Sequence, residues 1–260
     1  MLSRTRPALV AAMIVGFPTA QAQWVNYPSA GIPRTADGKP NLAAPAPRAA
    51  DGKPDLSGVW VAPDQTFFQN LAAGLKPGDV QPLPWADALQ KQREDNVHSD
   101  DPLARCLPQG VPRINTNSTS PFKIVQTPGL VVILYEQLTL FRQIFMDGRK
   151  LESSPNPSWL GYSTGRWDGD TLVVETSGFN EKTWLDTAKG HPATAALRVE
   201  ERFRRTSFGR LEIQATINDP NAYSKPWTTA TQKMDLLLGT EILEFICNEN
   251  EKDLPHMVGK

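Results

Sequence analysis

The chain has 260 residues, 40% of them hydrophobic and 21% charged, which is ordinary globular material for one large domain or two small ones. Its 27 basic and 28 acidic residues leave a formal charge of −1. The basic residues are scattered, which excludes the electrostatic footprint of a nucleic-acid binder or of a protein drawn to an anionic membrane.

Residues 1–22 read as a secretory signal. Arg4 and Arg6 make a positive start, Pro7 to Pro18 an apolar centre, and Ala20-Gln21-Ala22 a small-residue cleavage site. The apolar part is too short to span a membrane. Cleavage after Ala22 would remove 2 of the 27 basic residues, leaving 25 against 28 acidic and a charge of −3. The expected destination is a periplasm or the space outside the cell, with no membrane span in the mature chain.

Residues 23–54 are rich in Pro, Ala and Gly and contain an imperfect duplication, RTADGKPNL at 34–42 and RAADGKPDL at 48–56. Two copies are too few to stack into a solenoid, so the expectation is an extended arm. A single β-barrel domain is expected over 55–260. It opens with DLSGVWVAP at 55–63, whose Gly-x-Trp resembles the start of a lipocalin, where the Trp plugs one barrel end. Residues 64–120 are Pro-rich, with one helix predicted over 84–96 that carries Trp85, Ala88 and Leu89 on one face. The remainder of that stretch, including RCLPQGVPRINTNSTSP, reads as a long ordered loop of the kind that is functional or lid-like.

From residue 121 strand follows strand. FKIVQT and LVVILYEQ flank Pro128-Gly129, and LTLFRQIFMDGR follows; YSTGRW and TLVVETS flank Asp168-Gly169-Asp170, a strong hairpin signal. LRVEERFRR pairs with RLEIQATI, and WTTATQKMDLLL with TEILEFICNE. With the first strand this predicts about nine or ten strands joined mostly by hairpins, and such a meander removes its edges by closing on itself. The fold class expected is mainly β: a single antiparallel lipocalin-like barrel with an irregular, partly helical N-terminal segment and a lumen that admits a guest.

The pleat shows which side chains turn inward. Leu197, Val199, Glu201 and Phe203 share one row of their strand, opposite Arg198, Glu200, Arg202 and Arg204. The apolar row must face the interior, which makes Glu201 an intruder. Arg142 is a second, in the row of Leu140, Ile144 and Met146. A buried charge is costly unless paired, so the two meet each other or a polar ligand, or each reaches water near a strand end.

Cys106 and Cys247 are the only cysteines. In an oxidising compartment such a pair forms a disulfide, the alternative being two buried thiols. The three histidines, His98, His191 and His256, show no HxH or HExxH spacing, so no metal site is expected. A histidine beside a carboxylate can instead move a proton, and His191 with Glu201, or His256 with Glu249 or Glu251, is such a combination; a loop histidine that caps a turn is the plain alternative. GYSTG at 161–165 has the GxSxG spacing but reads as strand rather than the strand-to-helix elbow that exposes a nucleophile, and GxGxxG and GxxxxGK[ST] are absent, which argues against serine hydrolysis and nucleotide cofactors. Trp159, Tyr162, Trp167, Trp184 and Trp227 fall at or near strands and barrel mouths, where aromatic residues suit a planar apolar ligand or simply fill the core.

PDLSGVW, CLPQGVPR, IFMDGR, NPSWLGYSTGRWDGDTLVVETSGFN, ERFRR and NENEKD together resemble an exported family of soil bacteria, over nearly all of residues 50–260. The resemblance implies no catalytic residues. At fold level the chain looks like the lipocalin or calycin barrels, which include ligand carriers and cofactor-free lyases, hydratases, isomerases and cyclases; fold alone does not fix function. The expectation is a barrel that binds a small, mostly apolar, aromatic molecule and performs proton transfer without a cofactor. His191 or His256 would move the proton, Glu201 assist, Arg142 hold an oxyanion, and Trp159, Tyr162 and Trp184 clamp the ring. A carrier without catalysis and a structural envelope protein are the alternatives.

Overall fold

The computed structural model describes residues 29, 31–96, 99–152 and 156–248; the expected signal segment, His98 and His256 lie outside them. Ten strands form: β1 Gly58–Val61, β2 Phe122–Gln126, β3 Leu130–Tyr135, β4 Leu140–Phe145, β5 Tyr162–Asp168, β6 Thr171–Ser177, β7 Arg198–Ser207, β8 Arg210–Asn218, β9 Trp227–Thr228 and β10 Gln232–Leu237. They run in sequence order from β1 to β8, and β10 pairs with both β1 and β8. The ring therefore closes through nine strands, with β9 an extra strand on β8. Closure leaves the ring no edge to protect.

Period-two patterning builds the wall. In β8, Leu211, Ile213, Ala215 and Ile217 are all buried, while Glu212, Gln214 and Thr216 between them are partly exposed. Its neighbour β7 alternates in the same way, with Val199, Glu201 and Phe203 inward. Each fully buried Leu, Ile or Phe contributes about 1.5–3 kcal/mol, and a one-residue slip would turn every one of them to solvent. The lumen is consequently filled by side chains rather than hollow: Phe122, Ile133, Tyr135, Ile144, Val174 and Phe203 are each at most 2% exposed.

Two expectations about strands are corrected. The barrel is not antiparallel throughout, because β4 and β5 run parallel, Ile144 beside Ser163 and Phe145 beside Thr164. A parallel neighbour needs a long crossover, and residues 146–161 supply it where a hairpin would have reversed the chain. At that seam Gly165 admits its neighbours: a Cβ there would lie 2.5 Å from Met146 Sδ and 2.9 Å from Ile144 Cγ2. The predicted strand over TEILEFICNE does not form within the described residues 241–248. That segment is held through side chains instead: Lys123 Nζ donates to Glu241 (2.6 Å), the Leu243 amide to Glu136 Oε2 (2.9 Å), and Cys247 is bonded to Cys106 across 141 residues.

One barrel end is plugged as the Gly-x-Trp motif suggests. Trp60 is fully buried, its Nε1 donates to the Leu56 carbonyl (2.9 Å), and the Arg205 guanidinium lies over its ring at 4.9 Å. Gly58, at φ +146°, lets Leu236 close on Trp60; a Cβ would meet Leu236 Cδ1 at 2.6 Å. The arm crosses this end, and its two repeats fold alike. Arg34 Nη1 donates to the Gly38 carbonyl (2.6 Å) and Arg48 Nη1 to that of Gly52 (2.8 Å). The second repeat is anchored by two Arg48 bonds to Asp170, in the β5–β6 turn (3.0 and 2.8 Å).

The described parts of 62–121, 178–197 and 219–231 cover the other end. They contain the helices α1 Thr66–Gln69 and α2 Pro84–Asp95. The predicted helix over 84–96 thus forms, but with a different buried face: Ala86 is buried, whereas Trp85 is 44% exposed and donates Nε1 to the Asn221 carbonyl. No described helix is long and apolar enough to cross a membrane.

Candidate functional site

Two buried polar clusters lie in and above the lumen. The first joins both intruders read from the pleat. Arg142 Nη2 donates to Glu201 Oε2 at 2.5 Å, with the side chains 1% and 0% exposed. Glu201 is fixed between Val174 of β6 and Ala215 of β8, so its carboxylate has only the lumen to enter. Its other oxygen accepts from Asn115 Nδ2 (2.7 Å), and Asn115 Oδ1 accepts from Tyr135 Oη (2.8 Å). Arg142 also donates from Nε to Ser163 (3.0 Å) and from Nη2 to Thr176 (2.7 Å), while its Nη1 has no partner. Burial pulls the Arg142 pKa down, yet the Glu201 charge, the Tyr135 oxygen and the hydrogen bonds to both together outweigh it, and the net shift is upward. Burial raises the Tyr135 phenol well above its usual value, with Glu201 adding to the rise and Arg142 opposing it. A charge pair this dry survives only because each member is bonded by several groups.

The second cluster sits where the covering loops meet β8 and β9. Residues 184–192 form a small turn in which Trp184 bridges to Pro192 and the Leu185 amide donates to the His191 carbonyl (3.0 Å). The turn brings His191 Nδ1 to 2.5 Å from Asp186 Oδ2. Asp186 is fully buried and also accepts the Leu71 amide (2.8 Å) and the His191 amide (3.0 Å). Asp186 already accepts two amide N–H groups, and in the tautomer with its hydrogen on Nδ1 His191 supplies a third. That leaves Nε2 as the basic nitrogen, and no described residue bonds it. The Trp227 ring lies 5.7 Å from the imidazole and the Tyr223 ring 5.7 Å from Trp227. Tyr223 donates to the Pro192 carbonyl (2.9 Å), and burial raises its pKa, aided by Asp186 and Asp219.

The predicted partners are rearranged. His191 pairs with Asp186, five residues before it in the same turn, while Glu201 bonds Arg142 and Asn115. The expected aromatic clamp is dispersed. Tyr162 is 44% exposed; Trp184 is buried under the Arg93 guanidinium at 4.0 Å; Trp159 is half-buried, its carbonyl facing Gly110. Trp227, from the broader aromatic set, is the ring that meets His191. Asp186, Asn115 and Tyr135 escaped sequence reasoning; the one available signal was the short WLDTAKGH spacing, which places a carboxylate five residues before a histidine.

Buried side-chain atoms without partners gather around this end: Gln109 Oε1, Arg113 Nε, Thr183 Oγ1 and Trp227 Nε1. Such atoms mark places for water or a polar ligand atom. Among the described residues no group of three or more His, Cys, Asp or Glu is arranged to hold a metal ion. A cavity of about 450 Å3 lies at the opposite, Trp60 end, lined by residues including Gly58, Arg205 and Leu236. The Cys106–Cys247 disulfide suits an oxidising environment. No family model and no curated protein matches the sequence, so its function is argued from these geometries alone.

Proposed function

We propose that this is an exported, lipocalin-like barrel protein that binds a small, largely apolar, aromatic molecule at its loop-covered end and moves a proton on it without a cofactor. The reaction would be of lyase, hydratase or isomerase type. The observation that carries this reading is the buried Asp186–His191 pair, with Nδ1 committed to the carboxylate at 2.5 Å and Nε2 left as base. Asp186 orients the imidazole and favours the imidazolium that forms when Nε2 takes a proton. Trp227 supplies an apolar face beside it. Arg142 and Glu201 hold position rather than touch substrate: through Asn115 they fix the 113–117 turn beneath the covering loops.

Turnover of a panel of aromatic substrates by the wild type and by His191→Ala tests the reading. Removing a general base is expected to lower the rate about 10²–10⁴-fold, with His191→Gln equally inactive and Asp186→Asn intermediate. His256→Ala, run alongside, tests the other expected histidine. Binding without product, unchanged by His191→Ala, would identify a carrier instead. The packed lumen favours a second reading, a structural envelope barrel. For that reading, mass spectrometry of the purified protein would find no bound small molecule, and no substrate would turn over.

A further inference from the structure

The Trp60 end contains a second feature, separate from His191 and independent of the proton-transfer reading. The arm does not lie flush on the barrel there. It is tied at Leu42, whose carbonyl accepts the Gly209 amide (2.9 Å), at Ala44, whose carbonyl accepts that of Phe208 (2.7 Å), and at Ser29, whose Oγ accepts that of Gly239 (3.0 Å). Around these ties it leaves a cavity of about 450 Å3 with Ile32 and Pro47 on the arm side and Val59, Leu236 and Leu238 on the barrel side. That volume lies in the range of small-molecule sites.

Arg205 lines the cavity together with Asp55, Lys123 and Glu241 as its charged residues. It is 6% exposed, and its bonds run only to neutral carbonyls. Nε donates to Ser207 (3.3 Å) and Phe208 (3.2 Å), Nη1 to Asp55 (2.7 Å) and Ser57 (3.1 Å), and Nη2 to Phe208. A guanidinium has five N–H donors, so one Nη2 hydrogen has no acceptor among the described residues. Asp55, the nearby carboxylate, turns Oδ1 to the Ser57 amide (2.9 Å) instead of to the guanidinium. Lys123 and Glu241, also in the wall, neutralise each other through two bonds (2.8 and 2.6 Å). Burial draws the Arg205 pKa down to about 10, partly offset by the Asp55 charge, as befits a cation that no anion touches. A mixed wall whose apolar residues adjoin one buried cation without a bonded carboxylate, the Asp55 and Glu241 carboxylates being turned to the Ser57 amide and Lys123, is complementary to an apolar molecule with an anionic end.

We propose that this cavity binds an apolar organic anion, an aromatic or aliphatic body carrying a carboxylate or sulfonate, with the anionic oxygens on Arg205 and the body against Ile32, Val59 and Leu238. The test uses the full-length exported protein and two fluorescent probes that share a ring system, anionic anilinonaphthalene sulfonate and neutral phenylnaphthylamine. The expected result is saturable binding of one sulfonate probe per chain, at least about tenfold tighter than the neutral probe. Leu238→Glu and Ile32→Glu each place a carboxylate in the chamber and are expected to weaken it about tenfold. They approach from opposite walls, so either one serves if the other fails to fold, as checked by thermal unfolding. Phe141→Ser, which removes a 62% exposed ring on the outer face of β4, is expected to leave binding unchanged. Absence of saturable binding overturns the proposal. So does equal binding of the neutral probe, indifference to both glutamates, or loss of signal in Phe141→Ser alone.

Discussion

Removing Glu201 by substitution with Leu should destabilise the barrel more than any surface change, and the size of the loss follows from the bonding around Arg142. That guanidinium is 1% exposed and has Glu201 as its carboxylate partner, while Nη1 is already without a partner. Glu201→Leu leaves the cation with two hydroxyls, Ser163 and Thr176, at a cost of about 3–5 kcal/mol. Arg142→Met strands the 0% exposed carboxylate with Asn115 as its remaining partner, at a similar cost. If the two losses simply added, the double variant would be lower by roughly 6–10 kcal/mol, comparable to the whole stability of a domain. They should not add. In Arg142→Met/Glu201→Leu no charge is left buried, Ser163 and Thr176 still bond each other (3.0 Å), and Tyr135 still bonds Asn115. Only the Asn115 amide loses its acceptor, a cost of about 1–3 kcal/mol. Urea unfolding of the wild type, Arg142→Met, Glu201→Leu and the double variant closes the cycle. A double variant as unstable as the sum of the singles, or single variants within about 1 kcal/mol of wild type, would show that the pair is not the buried, mutually dependent unit described.

Three further outcomes are expected. Reducing the Cys106–Cys247 bond, or replacing both residues with Ser, should lower stability by about 2–4 kcal/mol, because the bridge closes a 141-residue separation; an unchanged urea midpoint in reductant would refute this. Gly165→Ala forces a methyl group against Met146 and Ile144 at the parallel seam and should cost about 1–3 kcal/mol, a fall in Tm of roughly 3–10 °C by calorimetry. Burial raises the folded-state pKa of both Tyr135 and Tyr223. The folded protein therefore keeps phenol protons that the unfolded chain gives up near pH 10. The stabilisation is complete below that pH and is lost as pH climbs through the window up to the raised folded values. Ultraviolet titration should accordingly show these two phenols ionising together with unfolding, and their reversible ionisation in the folded protein at pH 10 would contradict the burial.

The barrel was readable because burial on one face imposes a period of two. RLEIQATI carries that period without interruption and LRVEERFRR with Glu201 and Arg205 as the charged members of its inward row, and they became the longest ladder, Arg198 opposite Asn218 through Ser207 opposite Arg210. The same period exposed Arg142 and Glu201 as misplaced charges, and their meeting was one of the outcomes it allowed. The parallel β4–β5 seam was not readable, since alternation is the same whichever way a strand runs. Residues 241–248 have strand-type composition with a glutamate in either row, yet no ladder partner among the described residues, because β10 already bonds β1 on one side and β8 on the other. The Asp186–His191 pair lies in loops whose geometry is set by contacts such as the Leu71 amide on Asp186, 115 residues away in sequence, and no local pattern encodes a contact of that range.

The distribution of polar groups argues that the two barrel ends, not the lumen, are where this fold can act. Inside, Arg142, Glu201, Asn115 and Tyr135 form a chain of short bonds that replaces a guest with internal partners, and opening it would strand a charge. Above them Asp186 fixes one nitrogen of His191 and leaves the other uncommitted, while Trp227 Nε1 and Thr183 Oγ1 are buried without partners. These orphaned polar atoms and the uncommitted imidazole nitrogen at one end of the barrel are what the proposed proton-transfer site rests on. At the other end, Arg205 is the guanidinium that closes the barrel over Trp60 and also lines the 450 Å3 cavity. A filled lumen therefore works as a rigid support: it fixes the backbone on which both ends present their charged groups, and stiffness there is what keeps Asp186 and His191 in register.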